Sequence, residues 1–258
     1  MVRPKLEPLT SPVIHVTSDE RSRNYTWGED RKHEKLDPKV KIISVDDLSR
    51  YSGQVYFPKD TAEGSVLVRH PFEPDTYINA NDAATSIKQS KFFKISEIAQ
   101  LLGALNYEID AIWEEVSERK LDAGGKVSYK AVKAETNIMN EVRQSDNMQF
   151  ALQATYDGVR AISQESLAEA ERRARMYGLW EDGAISSLIR QRDPKCENFN
   201  ADIRYCFELT SEINTLLDAA FSLNVMDDVF SLDASAKRAM SRREKIRVRM
   251  IFKFPGKE

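Results

Sequence analysis

RHPFEPDTY, residues 69–77, is the most distinctive loop of this chain. Arg69 and His70 follow a β-type run, Pro71 and Pro74 stiffen what comes next, and Asp75 and Tyr77 add further polar groups. Rigid polar loops at strand ends bind ligands, because the scaffold holds their side chains in place. An imidazole among carboxylates can also move protons. A plainer reading fits the same residues: a connection shaped by its prolines, around a histidine satisfied within the fold.

A second group lies further along. Arg242, Arg243, Arg247 and Arg249 belong to residues 237–258, which hold nine Lys/Arg and two Glu. That segment carries +7, which leaves −10 for the rest of a chain whose formal total is −3. Segregated charge marks a contact with an acidic partner, with a phosphate surface, or with the protein's own acidic part. Phosphate binding by such a segment would be salt-sensitive and blind to sequence. No RRM, KH or helix-turn-helix signature accompanies it, and Phe252 and Phe254 read as core-facing, so nucleic acid is the less favoured partner.

Other chemistries leave weaker traces. A phosphate-cradling loop needs glycines that let backbone amides approach the anion; GxxxxGK[ST] and GxGxxG are both absent. No GxSxG offers a serine on a strained elbow. Neighbouring carboxylates occur at Asp46–Asp47, Glu114–Glu115 and Asp227–Asp228, but chance supplies such pairs in a chain with 41 acidic residues. Cys196 and Cys206 lack metal spacing and read as reduced thiols, with Cys206 at least as apt to be buried as reactive. No catalytic residue, metal or cofactor is assigned.

The elements that would position these residues alternate between two periods. VKIISVDDL begins the ordered part, and GQVYFP and GSVLVRHPF are short β-type runs, each closed by a proline. Asn81 or Asp82 suits the cap of a short helix, and KFFKISEIAQLLG is a second helix that Gly103 stops. YEIDAI and KVSYKAVKA alternate as strands around RKLDAGGK, a turn. Residues 148–156 form the cleanest interior strand, and ETNIMNEVRQSDN before them is ambiguous. Helices follow, capped by Ser163 and Asp182, then a strand in FNADIRYCFEL and a helix in SEINTLLDAAF. FSLNV and VFSLDASA suggest short strands. The closing strand buries Ile246, Val248, Met250, Phe252 and Phe254 and turns Arg247, Arg249 and Lys253 outward.

Strand runs broken by helices, without regular βα alternation, predict an α+β fold: a mostly antiparallel sheet packed against several helices. Residues 1–40 read as an extended or disordered N-terminal arm, with Trp27 an anchor on the domain surface, and residues 41–258 as a single α+β domain. MVRPKLEPLTSP lacks the apolar stretch of a signal peptide, and no run approaches the ~18 apolar residues of a membrane helix. The functional expectation is a non-catalytic cytoplasmic interaction protein that binds a protein partner or itself. One alternative is a membrane-acting, pore-forming-like effector that uses amphipathic strands and the basic segment on anionic lipid. The other is an enzyme of unrecognised class, with His70 and scattered carboxylates meeting only in three dimensions.

Overall fold

The computed structural model describes residues 8–27, 36–121, 127–137, 153–159, 161–196, 200–223 and 232–255. They form an α+β fold with two mostly antiparallel sheets and seven helices. The chain divides into two units. The first takes residues 1–86, 117–132 and 212–243; the second takes 87–116, 133–211 and 244–258.

In the first unit, β1 (Val13–Thr17) runs parallel to β2 (Val40–Ser44) and antiparallel to β3 (Val66–Arg69), and β3 pairs with β4 (Tyr77–Asn79). β1 lies inside this sheet and is buried at all five positions. It falls within the stretch read as an extended arm. A strand covered on both faces shows no polar alternation, so VIHVT offers little periodic signal. His15 is enclosed in it; burial, with Arg21 adding to the effect, brings its pKa down to about 4, against a Ser65 backbone hydrogen bond that raises it. α1 (Asp19–Trp27) follows, with Asp19 and Glu20 favourably placed in its first turn. The Trp27 side chain lies outside the described residues. After β2, Ser44 accepts the Asp46 amide at 3.3 Å and starts a single tight turn that leads into α2 (Leu48–Tyr51). Ile14, Val16, Ile43, Tyr51, Leu67 and Tyr77 pack as one apolar cluster.

α3 (Ala80–Leu101) is one helix where the sequence suggested two. Lys91, at the expected break, is buried and donates to the Glu208 carbonyl at 2.6 Å. The helix ends where Gly103 adopts φ +78°. The Ala104 amide reaches back to the Ala99 carbonyl at 3.0 Å and Gly103 to Gln100 at 2.9 Å, the double bond of a glycine-terminated helix.

The second sheet has the order β6 (Val127–Asn137), β5 (Asn106–Leu121), β9 (Arg242–Lys253), β8 (Asp202–Glu208), with β7 (Gln153–Thr155) also on β5. β8 and β9 are antiparallel, from Asp202 opposite Lys253 to Glu208 opposite Arg247. Of the strand expected at 148–156, Gln153–Thr155 is present as β7, opposite Asn106–Glu108; residues 148–152 lie outside the described residues, as do turn residues 122–126 and most of ETNIMNEVRQSDN. α4 (Gln164–Met176) and α5 (Gly183–Gln191) are capped by Ser163 and Asp182, which accept the Ser166 and Ala184 amides at 3.1 and 2.9 Å.

α6 (Ser211–Phe221) and α7 (Ala234–Ser241) complete the set. They correct two strand expectations. Phe221 ends α6, so FSLNV begins in a helix, and residues 224–231 lie outside the described residues. Asp233 in VFSLDASA accepts the Ser235 and Ala236 amides and opens α7. An Asp that satisfies first-turn amides favours helix over strand locally.

In the second unit, buried Arg192 donates to the carbonyls of Leu102 and Val159 at 2.8 and 3.0 Å, with its guanidinium 4.5 Å from the centre of the Phe254 ring. Burial lowers its pKa to about 10, so it stays charged at neutral pH. Val159 also meets Gly103: a Cβ there would stand 2.3 Å from the Val159 carbonyl oxygen. Gly103→Ala is therefore expected to cost about 3 kcal/mol in urea unfolding, from left-handed strain plus displaced backbone. His15 gives a pH dependence. Its folded pKa lies below the ordinary 6.5, so the unfolded chain binds the proton more tightly. Stability should be complete above about pH 6.5 and fall by about 3 kcal/mol towards pH 4; His15→Val should flatten that slope.

Candidate functional site

The loop after β3 is fixed by its own backbone. The Arg69 amide donates to Pro12 and the His70 amide to Thr76, both at 2.8 Å; within the loop, Thr76 donates to Glu73 at 2.9 Å. The Tyr56 amide donates to Asp75 at 2.7 Å, and the Tyr77 amide to Tyr56 at 2.9 Å. Pro71 and Pro74 have no amide to pair, so the loop needs few partners. The Arg69 side chain crosses it: Nε donates to the Pro74 carbonyl at 2.5 Å and Nη1 to Thr10 at 3.4 Å.

The other predicted loop residues have different settings. His70 is buried; its Nδ1 accepts the Phe72 amide at 3.2 Å, so that nitrogen carries no proton, and the ring lies edge-on to Phe72. Tyr77 is fully buried, stacks on Phe57 at 5.6 Å and donates its hydroxyl to the Ser11 carbonyl at 2.6 Å. Burial pushes its pKa up to about 12, so it stays a phenol. Asp75 is exposed.

Arg69 and His70 open onto a cleft of about 470 Å³ in the first unit. Pro12, Pro71, Pro74 and Leu216 give it apolar walls, while Glu212 and Thr215 add polar groups from α6. Its size lies within the usual range of ligand pockets, about 300–1,000 Å³. It offers a pre-set guanidinium, a carboxylate and an apolar floor, which suit an apolar group flanked by polar ones. Neither Asp75 nor Tyr77 lines it. The sequence did not reveal the α6 contribution. Helical spacing puts Leu216 in the apolar stripe, but it is half-buried while Ile213 and Leu217 take the core. An apolar residue beside the main stripe was the available signal.

The strand arginines lie elsewhere and do not line this cleft. In the second unit, Arg249 pairs with Asp110 at 2.5 Å and lies 5.6 Å from the centre of the Trp113 ring. Lys253 pairs with Glu108 at 3.1 Å, and Arg247 stands opposite Glu208 in register. In the first unit, Arg243 lies 5.5 Å from the ring centre of exposed Tyr129. The Arg242 carbonyl accepts from Arg119 at 3.1 Å, and buried Arg119 also pairs with Asp218. Cys206 is exposed on β8, opposite Arg249, and no disulfide joins it to Cys196, which is also exposed. Among the described residues, no group of three His, Cys, Asp or Glu is disposed to hold a metal ion, and no helix is long and apolar enough to cross a membrane.

No protein family, no curated protein and no solved structure matches the chain. The geometry of the cleft is the ground for a functional reading. Arg69→Met keeps the aliphatic stem and removes the donors to Pro74 across the loop and to Thr10 beside it. It is expected to cost about 1–2 kcal/mol and to speed hydrogen exchange at the His70 and Thr76 amides, read by mass spectrometry.

Proposed function

We propose that the protein acts as a non-catalytic cytoplasmic binding protein, and that the cleft beside Arg69 receives an apolar side chain from a protein partner. The cleft itself carries this reading. Its walls are largely apolar, its loop is tied by backbone hydrogen bonds, and Arg69 and Glu212 line it with opposite charges. A pocket that takes one anchor side chain, with polar groups around it, is how protein interfaces concentrate affinity. Thr215 is exposed and Leu216 half-buried, so both stand where a partner could reach them. The basic strand supports the membrane alternative less well, since Arg249 and Lys253 already face Asp110 and Glu108. Internally matched cations have less attraction left for anionic lipid.

Leu216→Asp places a charge on the cleft wall without entering the α6 core. With folding confirmed by circular dichroism, the intact protein is expected to capture a partner from native lysate, and Leu216→Asp to lose that capture about tenfold or more. A partner held equally by both proteins, or a monodisperse monomer in light scattering that captures nothing, would remove the proposal. Anionic liposomes should neither leak nor carry the protein on flotation; leakage would return the membrane reading to first place.

A further inference from the structure

A second cavity of the first unit, about 620 Å³ and open to solvent, lies between the end of α2 and the bridge joining Tyr56 to Thr76. The loop at residues 69–77 thus borders two spaces, and this one is reached from Asp75 and Thr76. Tyr56 projects there with 57% of its surface exposed. Its backbone is held from both sides, by the Asp75 carbonyl and the Tyr77 amide. An exposed ring on a fixed mount is a stacking platform.

Three of the polar groups around Tyr56 are left to accept hydrogen bonds. Ser52 donates its hydroxyl to the Ser49 carbonyl at 2.8 Å, and Thr61 donates its own to the Pro58 carbonyl at 2.7 Å. Each oxygen keeps lone pairs to accept with. Asp75 is acceptor-only when ionised. Gln54 adds an amide, and among the described residues Asp75 is the only charged one in the lining. At Gly53 an added Cβ would meet nothing within 4 Å, so there is room beside it.

These features define the ligand. It must bring several O–H or N–H donors and a flat apolar face, and it must not be an anion, which Asp75 would repel with no cation among the described lining residues to compensate. An extended proline-rich peptide fits poorly, because it presents chiefly carbonyl acceptors and proline has no amide proton. A sugar ring has what is required: several hydroxyl donors and a C–H face that lies on an aromatic ring. We propose that this groove binds a neutral saccharide, with its C–H face on Tyr56 and its hydroxyls donated to Asp75, Ser52 and Thr61. This site is separate from the cleft beside Arg69 and does not depend on what that cleft binds.

Saturation-transfer NMR of the full chain with maltotriose, cellotriose or chitotriose tests the proposal. At least one should receive magnetisation, with an affinity in the region of ~1 mM, as open sites for small ligands give. Tyr56→Ala should weaken that affinity about tenfold or more. Asp75→Asn should weaken it less, since an amide can replace only part of the acceptor capacity. Both side chains are exposed, so an unchanged thermal midpoint will show that the fold is intact. The proposal is overturned if no trisaccharide receives transfer at about 10 mM, or if Tyr56→Ala binds as well as the unaltered chain. It is equally overturned if a polyproline peptide occupies the groove and the sugars do not.

Discussion

Val248, Met250 and Phe252 point the same way along β9, and none of them exposes any surface. Each such side chain contributes about 1.5–3 kcal/mol on leaving water. The outward partners of that strand, Arg249 with Asp110 and Lys253 with Glu108, are half-exposed. Pairs of that kind add about 0–1 kcal/mol each. The apolar side therefore holds β9 in place, and the charged side makes the alternative registers costly. A slip by one residue would turn Arg247 and Arg249 into the interior, where their charges would have no water and no carboxylate.

That arrangement accounts for part of the uneven charge of the sequence. Three cations near the end of the chain meet acidic residues on the strands beside them: Glu108 and Asp110 on β5, and Asp202 and Glu208 across the register on β8. At Arg249, Lys253 and Arg247, the segregation along the sequence is undone in space. Arg242 and Arg243 are differently placed, among Arg119, Asp218 and Tyr129.

Long elements with one buried face were legible. β8, β9 and the first half of β5 could be read from period two, and α4, α5 and α6 from helical spacing and caps. Tyr107, Ile109 and Ala111 alternate inward on β5, but Ala111 and Ile112 are both buried, and the simple period stops there. Elements buried on two faces were not legible, as β1 shows. Nor were polar residues that the fold takes inside, such as Lys91, whose carbonyl partner on β8 lies far along the chain. The loop at 69–77 stood out through its composition. What the sequence could not show is which of its groups face a cavity. Tyr77 looks like a site residue and is part of the core, whereas Glu212 and Leu216 come to the cleft from a helix whose pairing with this loop is a matter of tertiary packing.

The order of the second sheet has a kinetic side. β9 follows β5 and β8 along the chain, yet it lies between them. Those two strands cannot close on each other without excluding it, so each keeps an open edge until β9 arrives. Pairings made across such long sequence separations are slow, because chain entropy is lost before the contacts reward it. During that wait, the unpaired edges and the apolar sides of β5 and β8 are open to other chains. Refolding yield should therefore decline with protein concentration more steeply than native stability alone would suggest.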